Sequence, residues 1–256
     1  MHQFVPVGLS LAEFAVALAI TLFAGFVKGA VGFAMPMILI SGFAVFLPQD
    51  LALAGLMLPT LVTNLSQAFR QGMGPAIETA WTYHRFLVAT VVCIAVSAPF
   101  ADTIPRAAYL LLLGIPITAF AALQLMGRSL AIRLEHRDRA EWALGAVGGL
   151  YGGVSGIWGP PLLVLLLSTG AGKLQMIRAQ GVVFLIGAVA LIGSHLGTGL
   201  ANAQSLGFSA ALCLPALIGL HAGYAVQDRL DQKRFRRWTQ ALLVLTGLNM
   251  VRTALF

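Results

Sequence analysis

Glycine and proline recur at one spacing in two apolar stretches of this chain. The first stretch reads GFVKGAVGFAMP from residue 25, and the second reads GLYGGVSGIWGP from residue 149. The matching pairs, each 124 positions apart, are Gly25 and Gly149, Gly29 and Gly153, Gly32 and Gly156, and Pro36 and Pro160. Membrane chains that interrupt a helix at corresponding positions of their two halves typically build a transport site there. The spacing therefore predicts an internally duplicated transporter.

The chemistry expected at these stretches is anion binding by the backbone. Proline is favoured at the first position of a helix, so each stretch predicts a glycine-rich turn followed by a helix start at Pro36 or Pro160. A helix start offers free N–H groups and the positive end of the helix dipole, which together attract anions. The alternative is close helix packing through GxxxG motifs, which Gly25 with Gly29 and Gly149 with Gly153 both fit.

Two cations lie near these stretches. Lys28 falls inside the first stretch with no carboxylate near it in the sequence. A charge in an apolar helix is costly unless it is paired or hydrated, so an anionic ligand would supply its counter-charge; the alternative is that Lys28 snorkels to the interface. Arg178 begins the segment after the second stretch, where it either faces the site or is a loop charge.

Uncharged side chains complete the predicted site. Ser155 and Trp158 lie in the second stretch, and Gln180 follows it. Asn64 lies beside Ser66 and Gln67, where hydrogen bonding between helices is the alternative. The predicted substrate-binding residues are Lys28, Gly29, Gly32, Pro36, Asn64, Ser155, Gly156, Trp158, Pro160, Arg178 and Gln180.

Composition restricts the chain to one class. Of its 256 residues 59% are hydrophobic and 10% are charged, and the mean hydropathy is +0.88. A soluble domain carries about 25% charged residues, so a polytopic membrane protein is expected. The net charge of +7 sits in short loops and does not imply nucleic acid. No nucleotide-binding motif or metal-ligand spacing occurs, so we expect no cofactor, no bound metal and no enzyme.

Apolar runs divide the chain into two halves. The candidate segments are 11–27, 34–47, 51–69, 86–101, 107–127, 143–156, 160–169, 179–198, 205–226 and 239–255. A span needs roughly 20 apolar residues. The predicted organisation is a first membrane repeat at 1–127, a charged cytoplasmic linker at 128–142 and a second membrane repeat at 143–256.

The distribution of basic residues predicts opposite orientations for the two halves. Four loops, near 70–85, 128–139, 173–178 and 229–237, carry 13 of the 16 Lys and Arg residues. All four are cytoplasmic only if 143–170 enters and leaves the membrane on one side. The first hairpin, 11–47, would then enter from the outside. We therefore expect an all-α protein of two inverted repeats in the cell (inner) membrane. Each repeat would hold a re-entrant or discontinuous helix pair and three spanning helices, and a homodimer is a further candidate.

The paired cores GFVKGAVGFAMP and GLYGGVSGIWGPP resemble the TauE/SafE family of anion exporters, the sulfite and sulfonate permease group. The resemblance in architecture covers about residues 11–255. It implies transport of small sulfur-containing or organic anions without ATP. The partners would be a small anionic substrate and the lipid bilayer, with alternating access moving one repeat against the other.

Two other classes compete with this interpretation. Gly153-Val154-Ser155-Gly156 is a GxSG, and with His195 it resembles the Ser–His dyad of rhomboid intramembrane proteases. However, Val31 replaces the serine in the first copy of the motif, and a protease has no use for a duplicated break. A channel is the third class, but no selectivity filter or ring of charges is recognisable.

Overall fold

The fold is a bundle of α-helices. The computed structural model describes residues 8–128, 130–131, 135–226 and 231–255. The described helices are α1 (Leu11–Val31), α2 (Met35–Phe43), α3 (Gln49–Ala68), α4 (Met73–Thr82), α5 (His84–Ser97), α6 (Arg106–Leu125), α7 (Arg137–Ser155), α8 (Gly159–Ser168), α9 (Lys173–Thr198), α10 (Ala203–Val226) and α11 (Gln232–Leu255). A 3-10 helix, Ala98–Thr103, follows α5. No strand occurs among these residues.

Six of the described helices are long and apolar enough to cross a membrane. They are α1, α3, α5 with the 3-10 helix, α6, α9 without its first residue, and α10. Their large apolar side chains are often exposed, as for Val92, Leu214 and Ile218, which suits a surface that faces lipid tails. The chain is therefore an all-α multi-pass membrane protein, as its composition predicts.

Three segment boundaries differ from the sequence prediction. Helix α7 begins at Arg137, so the end of the predicted linker at 128–142 is already helical. The loop expected between Arg70 and Arg85 contains α4. Helix α2 has only 9 residues, shorter than the run at 34–47. Each difference has one cause: helix ends follow capping and packing, whereas the prediction followed charge and hydropathy.

The two halves pack in corresponding ways. Helix α1 lies against α10, and its counterpart α7 lies against α5. Helices α3 and α9 pack on each other, as do α6 and α11. The helix starts keep the spacing of the motif. Helices α2 and α8 begin 124 residues apart, and so do α3 and α9. Each of the four helix contacts named above thus joins a helix of the first half to a helix of the second.

Helices α1 and α2 form a hairpin that opens where α3 begins. The ring centroid of Phe208, near the start of α10, lies 6.4 Å from that of Phe14 on α1 and 6.2 Å from that of Phe43, the last residue of α2. Gly55 on α3 faces the rings of Phe43 and Phe208. The first turns of α1 and the last turn of α2 therefore lie at one end of the bundle.

Helices α7 and α8 form a second hairpin that opens where α9 begins. Tyr83 contacts all three helices: Arg137 of α7 lies 6.0 Å from the centre of its ring, Gln175 of α9 donates to its hydroxyl over 3.3 Å, and Thr169, just after α8, hydrogen-bonds to it. Helix α9 begins where α3 ends, since Arg178 donates to Gln71 over 2.9 Å. The two hairpins thus open toward opposite ends of the molecule.

Candidate anion site between the two helix breaks

Both predicted breaks are left-handed glycine turns followed by a new helix. Gly32 ends α1 with φ 89°, and Gly156 ends α7 with φ 72°. Each donates its N–H over 2.7 Å to the carbonyl four residues earlier. Glycine adopts this conformation without the steric cost that a Cβ would add. Pro36 and Pro160 then lie in the first turns of α2 and α8, as the sequence predicts.

The two turns face corresponding positions of the opposite half. A Cβ on Gly32 would lie 3.3 Å from Ile177 and 3.4 Å from Gln180 on α9. A Cβ on Gly156 would lie 2.7 Å from Leu56 and 3.3 Å from Leu53 on α3. Leu53 and Leu56 precede Ile177 and Gln180 by 124 positions, the spacing of the motif itself. Each break is therefore seated on the long central helix of the other half.

One cavity lies between the two breaks. It holds about 20 Å³ of space in this arrangement, room for a water molecule, and part of it opens to solvent. Its walls come from both turns, from the first residues of α2 and α8, and from Phe120, Gln180 and Phe184. Five predicted site residues line it, namely Pro36, Gly156, Trp158, Pro160 and Gln180. Lys28, Gly29, Gly32, Asn64, Ser155 and Arg178 do not line it.

The other repeated glycines serve helix packing. A Cβ on Gly25 would clash with the carbonyl of Ala216 on α10, and one on Gly149 would lie 2.5 Å from the carbonyl of Thr90 on α5. Gly29 likewise faces Leu220 and Gly223 on α10. The packing alternative thus describes the first half of each motif, and Gly29 occupies a packing position rather than the cavity wall.

Lys28 is buried and hydrogen-bonded to α3. Only 1% of it is exposed, so the snorkelling alternative is wrong. Its Nζ donates to Thr63 Oγ1 over 3.0 Å and to Asn64 Oδ1. Among the described ion pairs, none involves Lys28. The amide of Asn64 is thus tied to Lys28 through its oxygen, while its buried Nδ2 has no partner in the described part of the chain.

The second copy fills the corresponding space with an indole. Gly152 and Gly187 lie 124 positions after Lys28 and Thr63. A Cβ on Gly152 would lie 2.8 Å from Trp158, and one on Gly187 would lie 2.6 Å from it. The ring therefore packs where the first copy holds the lysine side chain. The two halves thus hold different side chains in corresponding spaces, a lysine in the first and an indole ring in the second.

Two further polar side chains form hydrogen bonds between helices. Gln67 donates to the carbonyl of Gly32 over 3.1 Å and to that of Ile177 over 2.8 Å, which links the turn to α9. Arg178 donates from Nε to Thr79 Oγ1 over 2.7 Å and holds α4 against α9. Gln67 therefore makes hydrogen bonds between helices, which was the alternative to a role in substrate binding.

Ser155 and His195 cap a helix end and do not form a dyad. Ser155 Oγ donates to the carbonyl of Tyr151 over 2.6 Å and accepts from the N–H of Ile157 over 3.1 Å. His195 Nε2 donates to the carbonyl of Gly153 over 3.0 Å. Within the described residues no hydrogen bond joins Ser155 to His195. The geometry expected for a serine protease is therefore not formed.

Glu141 is a buried charged residue that was not predicted from the sequence. This carboxylate is 0% exposed, accepts from Arg137 Nε over 2.7 Å, and keeps one oxygen without a partner among the described residues. Its position in the charged linker concealed it. The i,i+4 spacing of Arg137 and Glu141 was the available signal.

The fold and the site define a class: a polytopic helical membrane protein with a cavity between two broken helices. The chain matches the family described as sulfite exporter TauE/SafE over residues 17–250, and it belongs to that family. It is thereby a member of a family of membrane transporters. No curated protein and no solved structure matches it.

Proposed function

We propose that this protein is a secondary transporter, acting as an exporter, of small sulfur-containing or organic anions such as sulfite or sulfonates. The observation that carries the proposal is a cavity lined by residues of both helix breaks. The starts of α2 and α8 both adjoin it, and neither has a side-chain cap. Two positive helix ends that converge on one cavity favour an anion over a neutral or cationic solute.

Lys28 adds positive charge behind the first break. It reaches Thr63, whose hydroxyl lies 3.6 Å from the sulfur of Met35, the first residue of α2. An anion at the start of α2 would supply the counter-charge that the described residues lack. Trp158 and Gln180 would then set the size and orientation of the substrate from the opposite half.

Alternating access would move one half against the other around this cavity. The corresponding packing of the halves and the opposite directions of the hairpins support two inverted repeats. Such a pair can exchange its two arrangements while the central site keeps its composition. Sidedness in the bilayer rests on the basic loops.

A thermal-shift panel on the purified protein tests the anion class. We expect sulfite, sulfate, thiosulfate, sulfonates or carboxylates to raise the melting temperature, because a ligand that binds only the folded state stabilises it. Sodium, potassium and choline as chloride salts serve as cation controls, and sucrose as the neutral control. Stabilisation by cations or neutral solutes alone would contradict the proposal.

A further inference from the structure

His195 is a buried titratable side chain that anion binding does not use. It lies in the last turn of α9 and is 0% exposed. An unperturbed imidazole titrates at about pH 6.5, so its charge changes in the physiological range. A polar ring held in an apolar bundle needs partners for both nitrogens, and these partners connect two distinct regions of the protein.

One ring nitrogen of His195 is hydrogen-bonded to the backbone at the second helix break. In a continuous helix the N–H of Ile157 would bond to the carbonyl of Gly153. The break redirects that N–H to Ser155 Oγ, and His195 Nε2 donates to the freed carbonyl over 3.0 Å. A carbonyl at the end of a helix is at the negative end of the dipole. A protonated ring would therefore bind it more strongly than a neutral ring.

The other nitrogen lies beside Thr198, which lines a polar cavity at the opposite end of α9 from Arg178. His195 Nδ1 lies 3.4 Å from Thr198 Oγ1. Thr198 lines a cavity of about 470 Å³ that is partly open to solvent, together with Gln49, Asp50, Asp102, Gly199, Leu200 and Asn202. A path of polar groups thus runs from this cavity through His195 to Gly153.

Burial and charge act on the ring in opposite senses: the apolar surroundings oppose a charge on it, and a nearby carboxylate offsets part of that cost. Asp102, from the 3-10 helix, acts electrostatically on the ring, and Asp50, from the first turn of α3, lines the same cavity. Tyr151 of α7 is engaged with the carbonyl of Leu112. Cys93 of α5 lines a different groove beside Arg139. The Asp102 carboxylate thus favours the cationic form of the imidazole against the cost of burying it.

We propose that His195 is the protonation site that couples a proton gradient to movement of the second break. The inference rests on the proposed transport function. A proton from water in the polar cavity adds to the lone pair of Nδ1, and the imidazolium then donates from both nitrogens. The ring holds Gly153 more tightly when protonated, which biases α7 toward the arrangement described here. Loss of the same proton to water loosens the break.

Two assays in proteoliposomes separate coupling from transport. Exchange of radiolabelled anion at equal pH measures movement through the site, and uptake under a pH step of about one unit measures coupling. Sulfite and methanesulfonate are the probes, the second because its charge stays constant over this pH range. Coupling to one proton allows up to about tenfold extra accumulation per pH unit.

We expect wild type to show both exchange and the response to the pH step. His195→Gln should keep exchange within about twofold and lose the pH response, because an amide can donate to Gly153 but cannot carry the proton. Thr198→Val should weaken the pH response without touching the Gly153 hydrogen bond, and it decides the matter if His195→Gln fails to fold. His221→Gln, at an exposed ring bonded to its own helix at Leu217, should behave as wild type.

The outcomes distinguish the two claims. Exchange in wild type without any pH response, or a full pH response in both His195→Gln and Thr198→Val, overturns the coupling site and leaves the transport function standing. No exchange of any tested anion overturns the transport function, and the coupling site with it.

Discussion

At the residue scale, Lys28 is the charged group whose removal tests the site most simply. Lys28→Met keeps most of the length of the side chain and removes the charge. We expect anion affinity to fall about tenfold or more, since a hydrogen bond to a charged group contributes roughly 1.5–3 kcal/mol. Equilibrium binding of the anion that gives the largest thermal shift is the measurement. Arg106→Met, at an exposed residue in the first turn of α6, is the control, and unchanged binding by Lys28→Met would remove Lys28 from the site.

The glycine turn at Gly156 makes a second prediction at this scale. Gly156→Ala should destabilise the protein through its positive φ, at about 1–2 kcal/mol, and through contact with Leu56. Gly127→Ala is a matched control, since Gly127 also has φ 72° but a Cβ there would meet nothing within 4 Å. Thermal unfolding should show the larger drop for Gly156→Ala. Equal drops in melting temperature for the two variants would mean that the close contact of Gly156 with α3 contributes nothing to stability.

At the element scale, the crossings of α1 with α10 and of α7 with α5 hold the two halves together. Gly25→Ala inserts a methyl group against the backbone of α10, and overpacking of this kind costs typically 1–3 kcal/mol. The melting temperature should therefore fall. Gly207→Ala on α10, where a Cβ meets open space, should leave it within error or raise it slightly. A melting temperature unaffected by Gly25→Ala would refute the close crossing.

The elements also show what sequence could and could not supply. Gly32, Gly156, Pro36 and Pro160 were predictable because the backbone geometry of a break requires those residue types. The sequence could not show which glycines of each motif pack helices together and which form the turn, because both uses favour glycine. Lys28 could be located but its partners could not, because Thr63 and Asn64 are distant in sequence. The polar segment that forms α4 lacks the apolar run that marks a span.

At the scale of the whole molecule, the opposite directions of the two hairpins predict where each is reached from solvent. With Cys93 and Cys213 replaced by alanine, Asp50→Cys should react with an impermeant maleimide added outside intact cells. Gly172→Cys, where a side chain enters open space, should react only after permeabilisation. Labelling of both residues from the same side would contradict the inverted arrangement.

The proposed anion site lies in the cavity between the two breaks. Gln180 is the polar side chain that α9 contributes to its wall, and the corresponding residue of the first half is Leu56. Gln180→Leu therefore removes the polar group while placing there a side chain that the fold already accepts in the other half. Gln204→Leu, at an exposed residue of α10, is the matched control.

Counterflow of radiolabelled sulfite into proteoliposomes loaded with unlabelled anion is the most direct measurement. We expect saturable counterflow by wild type and Gln204→Leu, and a rate about tenfold lower in Gln180→Leu, the factor expected when a hydrogen bond to a charged substrate is lost. A rate for Gln180→Leu equal to that of wild type would contradict a substrate site between the breaks.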